Sequence, residues 1–154
     1  MDPFLLLQEE GNAGGGAVAI ASTGWAALMF AQFLIPKTVI AVNGSGAGLA
    51  LGTAQGGLLQ LTLGIENVIE QQSVEVHLEG SVDGEIWLEK PLAAFPQKFY
   101  VGNSVILCDL AAHPEIAYVR ASWRANRWGR GVLQPRFELY LFGESVASGA
   151  LEFK

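Results

Sequence analysis

From residue 73 to 79 the chain alternates strictly, with Val74, Val76 and Leu78 on one side and Glu75, His77 and Glu79 on the other. A period of two is the mark of a strand with one buried face. Short apolar runs punctuated by glycine predict further strands at 39–42, 57–63, 99–101, 105–110, 116–123 and 137–142. No segment after residue 37 has a helical period. Roughly seven to nine short strands at spacings near ten residues predict an all-β fold, an antiparallel, jelly-roll-like β-sandwich.

Between the alternating strand and the next apolar pair lies Ser81-Val82-Asp83-Gly84-Glu85-Ile86-Trp87. Asp83-Gly84 reads as a hairpin turn in which Gly84 takes positive φ, with Trp87 covering the core. The order of an apolar strand, an alternating strand, this Ser-x-Asp-Gly-x-x-Trp hairpin, a Phe-rich segment and Ala117-Tyr118-Val119-Arg120 resembles discoidin or galactose-binding-like jelly-roll domains. The resemblance covers about residues 57–142 and implies a sandwich of that type. The bracketing cysteines common in extracellular discoidin domains are absent.

The N-terminal segment departs from this pattern. Residues 11–36 carry no charge, and 17–35 (AVAIASTGWAALMFAQFLI) is nearly long enough to cross a bilayer. Two readings follow: one membrane-embedded helix, or an apolar arm packed on this domain or on a partner, the latter favoured by Ser22, Thr23, Gly24 and Gln32. A cleaved secretory signal fits badly, because Asp2, Glu9 and Glu10 precede the segment without a basic residue. All 9 Lys and Arg follow it, which for a spanning segment places the folded domain in the cytoplasm. The expected organisation is an apolar arm at 1–37, a sandwich domain at 38–146 and a tail at 147–154.

Composition sharpens the need for a partner. Apolar residues make up 51% of the 154 and charged residues 16%, well below the usual quarter. Leaving the large side chains of the arm in water forgoes several kcal/mol at roughly 25 cal/mol per Å² of apolar area. The net charge of −6 opposes nucleic-acid binding, although every arginine follows Val119 while acidic residues dominate 66–115. The single Cys108, among Ile106, Leu107 and Leu110, reads as a small core residue.

The candidates for chemistry are few. Asn43-Gly44-Ser45-Gly46-Ala47-Gly48, with Glu66 beyond it, imitates a dinucleotide fingerprint but lacks the following helix that would hold a pyrophosphate. Glu75, His77 and Glu79 share a face but read as a polar exterior, His113 as part of a turn fixed by Pro114, and Asp83 and Glu85 as solvated carboxylates at a hairpin tip. No nucleophile elbow, metal-binding histidine motif or phosphate loop occurs, so neither catalysis, a metal nor a cofactor is expected.

The basic–aromatic run Trp123-Arg124-Ala125-Asn126-Arg127-Trp128-Gly129-Arg130 is the strongest candidate for partner binding. Arginine and tryptophan are enriched at interface hot spots because guanidinium pairs with carboxylates and stacks on rings. In strand register Val119, Ala121 and Trp123 face the core, and Arg120, Ser122 and Arg124 face out. The same arginines can instead pair internally with the acidic stretch. The sequence therefore suggests a non-catalytic accessory subunit of a larger, membrane-associated assembly, such as a respiratory or photosynthetic complex. Trp25, Phe30 and Phe33 would anchor the arm, and Arg124, Arg127, Trp128 and Arg130 would make the domain contact, with anionic lipid or glycan as further partners. The alternatives are a carbohydrate-binding module using Trp87, Tyr100 and Trp128, and a virion or tail-like structural protein.

Overall fold

A computed structural model describes residues 30–131 and 133–147. The strands are β1 (Ala31–Ile40), β2 (Gly44–Ser45), β3 (Leu49–Ala50), β4 (Leu58–Val68), β5 (Gln72–Ser81), β6 (Ala93–Ala94), β7 (Gly102–Asp109), β8 (Tyr118–Arg127) and β9 (Phe137–Val146). All pair antiparallel, in two sheets. The first runs β1-β9-β4-β7 and the second β2-β8-β5-β6, with β3 also on β8. Pairing is nested: β1 with β9, β2 and β3 with β8, β4 with β7, β5 with β6. The chain is thus one long hairpin wound into a β-sandwich.

The alternation that predicted these strands is what fills the space between the sheets. Leu59, Leu61, Leu63 and Ile65 of β4 and Leu139 and Leu141 of β9 face Val74, Val76 and Leu78 of β5 and Val119 and Ala121 of β8, all buried. Phe95, Leu110, Ile116 and Phe137 close the ends of this core. Glu75, His77 and Glu79 point outward as expected, and Gly84 has φ 83° at the hairpin.

Three expectations change. The strand expected at 39–42 begins at Ala31, so the arm–domain boundary at 37/38 falls inside β1. Register shifts after Phe33 and Ile35 place Leu34 and Ile35 both inward, which hides the period of two. Residues 31–35 of the apolar segment are consequently strand rather than membrane helix, and no helix among the described residues is long and apolar enough to cross a membrane. Residues 17–29, Trp25 included, lie outside the described residues. Finally, 99–101 forms no strand, leaving Phe99, Tyr100 and Val101 exposed on a turn.

The glycine-rich link between β1 and β4 has a packing role. A Cβ on Gly44 would meet the Trp123 ring at 3.1 Å, and one on Gly48 would meet Trp87 at 2.8 Å. The Trp123 indole donates to the Val42 carbonyl at 3.1 Å, while the Asn43 side chain accepts from the Ala125 amide at 2.8 Å. These glycines let the backbone pass close to two tryptophans, and only the three-residue 3-10 turn Gly52–Ala54, no α-helix, follows them before β4.

Candidate functional site

Phe30 separates from the other expected partner residues at once. It is 4% exposed, its ring packs against Gly143, and its backbone is tied to Ser145 by an N–H···Oγ bond of 2.7 Å and by its carbonyl accepting the Ser145 N–H at 2.8 Å. Phe30, expected as an anchor for a partner, thus has its apolar surface packed in this domain's own core.

Phe33, three residues on, points the other way and is 52% exposed. On the outer face of the first sheet it stands edge-on to Phe142 at 4.9 Å and to Tyr140 at 6.0 Å between ring centroids. Cross-strand register explains the trio, since Phe33 opposes Phe142 and Tyr140 lies two residues before it on the same strand. Gly64 of β4 opposes Tyr140, and any Cβ there would collide with the phenol ring. The row continues through Thr62, paired with both Phe142 and Val105, to exposed Val105 and Leu107 on β7. A shallow hollow of ≈ 470 Å³ is lined by the aromatic trio, Thr62 and the Lys37–Glu66 pair, whose Nζ–Oε1 distance is 2.6 Å. The pairing with Glu66 raises the Lys37 pKa. Sequence reasoning found Phe33 but missed Tyr140 and Phe142, though their i, i+2 spacing was visible as a second apolar series on a strand whose other face is Leu139 and Leu141.

The basic–aromatic run divides in two. Val119 and Ala121 face inward as expected, and Trp123 is partly buried against the core. Arg124 is exposed on β8, in register with Glu75. Arg127 ends the strand and its Nε donates to the Glu70 carbonyl at 3.3 Å. Trp128 and Arg130 follow on an exposed loop, where the Trp128 amide donates to the Gln71 carbonyl at 2.9 Å. The loop's exit is fastened by Gln72, whose buried side-chain amide pairs with the backbone of Arg136.

Internal pairing is realised at Arg120. Its Nε meets Glu79 Oε1 at 2.7 Å, and its guanidinium carbon lies 4.5 Å from the Trp87 ring centroid. Trp87 was expected to cover the core; it packs instead on the outer face, on Arg120 and against Gly48. The hairpin before it is held by Ser81 and Asp83. Ser81 Oγ accepts from the Gly84 amide at 2.8 Å and donates to the Ile86 carbonyl at 2.7 Å. Asp83 Oδ1 accepts from the amides of Glu85 and Ile86 at 2.9 and 3.0 Å, and these backbone bonds, that from Ile86 foremost, hold its pKa below the usual carboxylate value.

A second aromatic group forms where the loop after β8 meets the turn before β7. Phe99 lies 6.2 Å from Trp128, edge-on, and 6.2 Å from Tyr100, which is 80% exposed. Beside it is a hollow of ≈ 310 Å³ lined by Gln97, Lys98, Asn103 and Ser104 among others. Two of the three aromatics expected to bind a sugar, Tyr100 and Trp128, thus meet through Phe99, whereas Trp87 is engaged elsewhere.

Among the described residues no three His, Cys, Asp or Glu side chains converge as a metal site. Cys108 is buried on β7, and desolvation, with the Asp109 charge second, pushes its thiol up to about 11. No protein-family model matches the chain, and no curated protein matches it significantly.

Proposed function

We propose that the sandwich is a jelly roll and that the chain is a non-catalytic structural subunit docking onto a larger protein assembly at a membrane. The nested strand pairing supports the first part, because a long hairpin wound into two facing antiparallel sheets, here of four and five strands, is the jelly-roll plan. The observation carrying the second part is the Phe33–Tyr140–Phe142 trio on the outer face of the first sheet, aromatic where a solitary sandwich presents polar side chains to water. Large rings flanked by an ion pair have the make-up of an interface centre and its rim. The uncharged segment that leads into β1 supports a host at a membrane. Three of the groups able to do chemistry are engaged within the domain: Cys108 is buried, Asp83 is tied into a turn and Glu79 is paired.

The test is affinity purification of the full chain from membranes in mild detergent, with mass spectrometry of what co-purifies. Stoichiometric recovery of one complex is expected, with loss of that complex in a Phe33→Glu/Phe142→Glu variant that keeps its β circular dichroism. A partner-free monomer, or equal recovery with the variant, rejects the reading. The Phe99–Tyr100–Trp128 group favours one alternative, a carbohydrate-binding module, since exposed rings beside amide side chains suit a pyranose face. Glycan-array binding lost with Tyr100→Ala/Trp128→Ala would establish that role.

A further inference from the structure

The sandwich has four strand margins, and among the described residues three of them are blunted. β1 carries Pro36, Lys37 and two register shifts. On the second sheet, β2 and β3 are two-residue pieces separated by glycines, and β6 is a two-residue piece flanked by Pro91 and Pro96. These are the devices by which sheets avoid edge-to-edge pairing. β7 has none of them. It runs eight residues without proline or lysine, in unbroken register with β4 from Leu58↔Asp109 to Ile65↔Gly102, and its other edge pairs with no described strand. Its outward side chains include Val105 and Leu107, 55% and 46% exposed.

We infer that β7 is a homotypic interface, pairing antiparallel with β7 of a second copy to give a continuous eight-stranded sheet. The argument is self-complementarity. A twofold axis perpendicular to the sheet keeps the outer faces of both copies on one side, so each residue must meet one of its own facing. Of the registers this allows, the one centred on Ile106 matches throughout. It sets Val105 opposite Leu107 of the second copy, and Asn103 opposite Asp109, an amide against a carboxylate. On the inner side Ser104 meets Cys108. Moving the centre to Val105 sets Leu107 against Asn103, and moving it to Leu107 sets Val105 against Asp109. Asp109 is the only charge on the strand, and in the favoured register the two copies of it lie at opposite ends. Like charges never meet. This interface is the free edge of the sheet that carries the aromatic face, with Val105 and Leu107 at the end of that row and the trio itself outside the contact, and it stands whether or not a host complex exists.

The experiment uses the full chain in mild detergent, with light scattering and native mass spectrometry. A dimer is expected, weakened at least roughly tenfold by Val105→Lys/Leu107→Lys, which puts cations on the edge while the circular dichroism stays that of the wild type. Register is read by cysteines. Residues 105 and 107 of one chain are roughly 7 Å apart, too far for a bridge, so oxidised Val105→Cys/Leu107→Cys forms only intermolecular disulfides. The double variant is expected to cross-link and Val105→Cys alone is not. A monomer at tens of micromolar overturns the inference, as does a dimer indifferent to the two lysines or one cross-linked as well by Val105→Cys alone. An edge covered by the chain's own N-terminal segment would give that monomer, whereas failure of the docking reading appears only as loss of co-purifying host.

Discussion

Gln72→Leu isolates the fastening at the base of the Trp128–Arg130 loop. Gln72 is 2% exposed, and its amide makes both complementary bonds to one backbone unit: Nε2 donates to the Arg136 carbonyl and Oε1 accepts from the Arg136 amide, each at 2.6 Å. Leucine keeps nearly the same volume, so the change removes the polar pairing without opening a large cavity. Each such bond contributes about 1 kcal/mol net, and a backbone group left dry costs about 1–3 kcal/mol. The Arg136 side chain is exposed, which gives water a route to part of the orphaned backbone. The expected loss is therefore roughly 2–4 kcal/mol, toward the large end for a single substitution. Urea unfolding followed by tryptophan fluorescence should register it as a midpoint lower by about 1–2 M with an unchanged slope. Gln72→Glu serves as comparison. Its carboxylate can still accept from the Arg136 amide but opposes the carbonyl, so it should be destabilised at neutral pH and partly restored on acidification, when a protonated carboxyl can donate. A Gln72→Leu unfolding free energy within about 0.5 kcal/mol of wild type would refute the claim that this amide holds the loop.

Arg120→Ala removes both the Glu79 contact and the stacking on Trp87. The pair is partly exposed, so the discounted expectation is about 1–2 kcal/mol in urea unfolding, with Arg120→Lys between the two, and no change would show the pair to be ornamental. Asp83 has a folded pKa below its unfolded value, so it contributes stability above pH about 4 that is lost as pH falls through the depressed value. Asp83→Asn should flatten that acid limb of a stability–pH profile, and an unaltered limb would assign it to other carboxylates. Cys108, buried with its thiol pushed up to about 11, should resist a thiol reagent at pH 8 in the native chain and react at once in urea. Rapid native labelling would contradict its placement.

The strands most readable in the sequence were those with one wet and one dry face. β5 showed a clean period of two because Glu75, His77 and Glu79 are solvated, and Asp83-Gly84 marked its turn for reasons of backbone chemistry that act locally. β1 was hidden because two bulges put Leu34 and Ile35 on one side and because Pro36 argues against a strand interior. Its apolar run also merged with the uncharged segment before it, so an edge strand looked like the end of a membrane helix. Phe30 and Phe33 illustrate the same limit at the level of the site: equal as residues, they differ by half a strand period in where they point, and only pairing with β9 decides which one a partner could touch. The aromatic trio was illegible for a related reason. It joins residues more than a hundred positions apart, through a register that depends on Gly64 leaving room for Tyr140.

The aromatic face and the β7 edge belong to the same sheet, and that shared sheet links the two proposals. Pairing through β7 would leave both outer faces on one side, so two aromatic trios would be displayed together, one on each half of an eight-stranded surface. A host offering two equivalent contacts would then be gripped bivalently, the second contact forming at an effective concentration in the millimolar range for closely tethered sites. Weak docking of each face would suffice, which fits a hollow as shallow as that around Phe33. It follows that Val105→Lys/Leu107→Lys, although it touches no residue of the trio, should lower apparent affinity for a two-site host by far more than it lowers affinity for a single site. Equal losses on the two would mean that the edge residues touch the host directly rather than pairing the subunits.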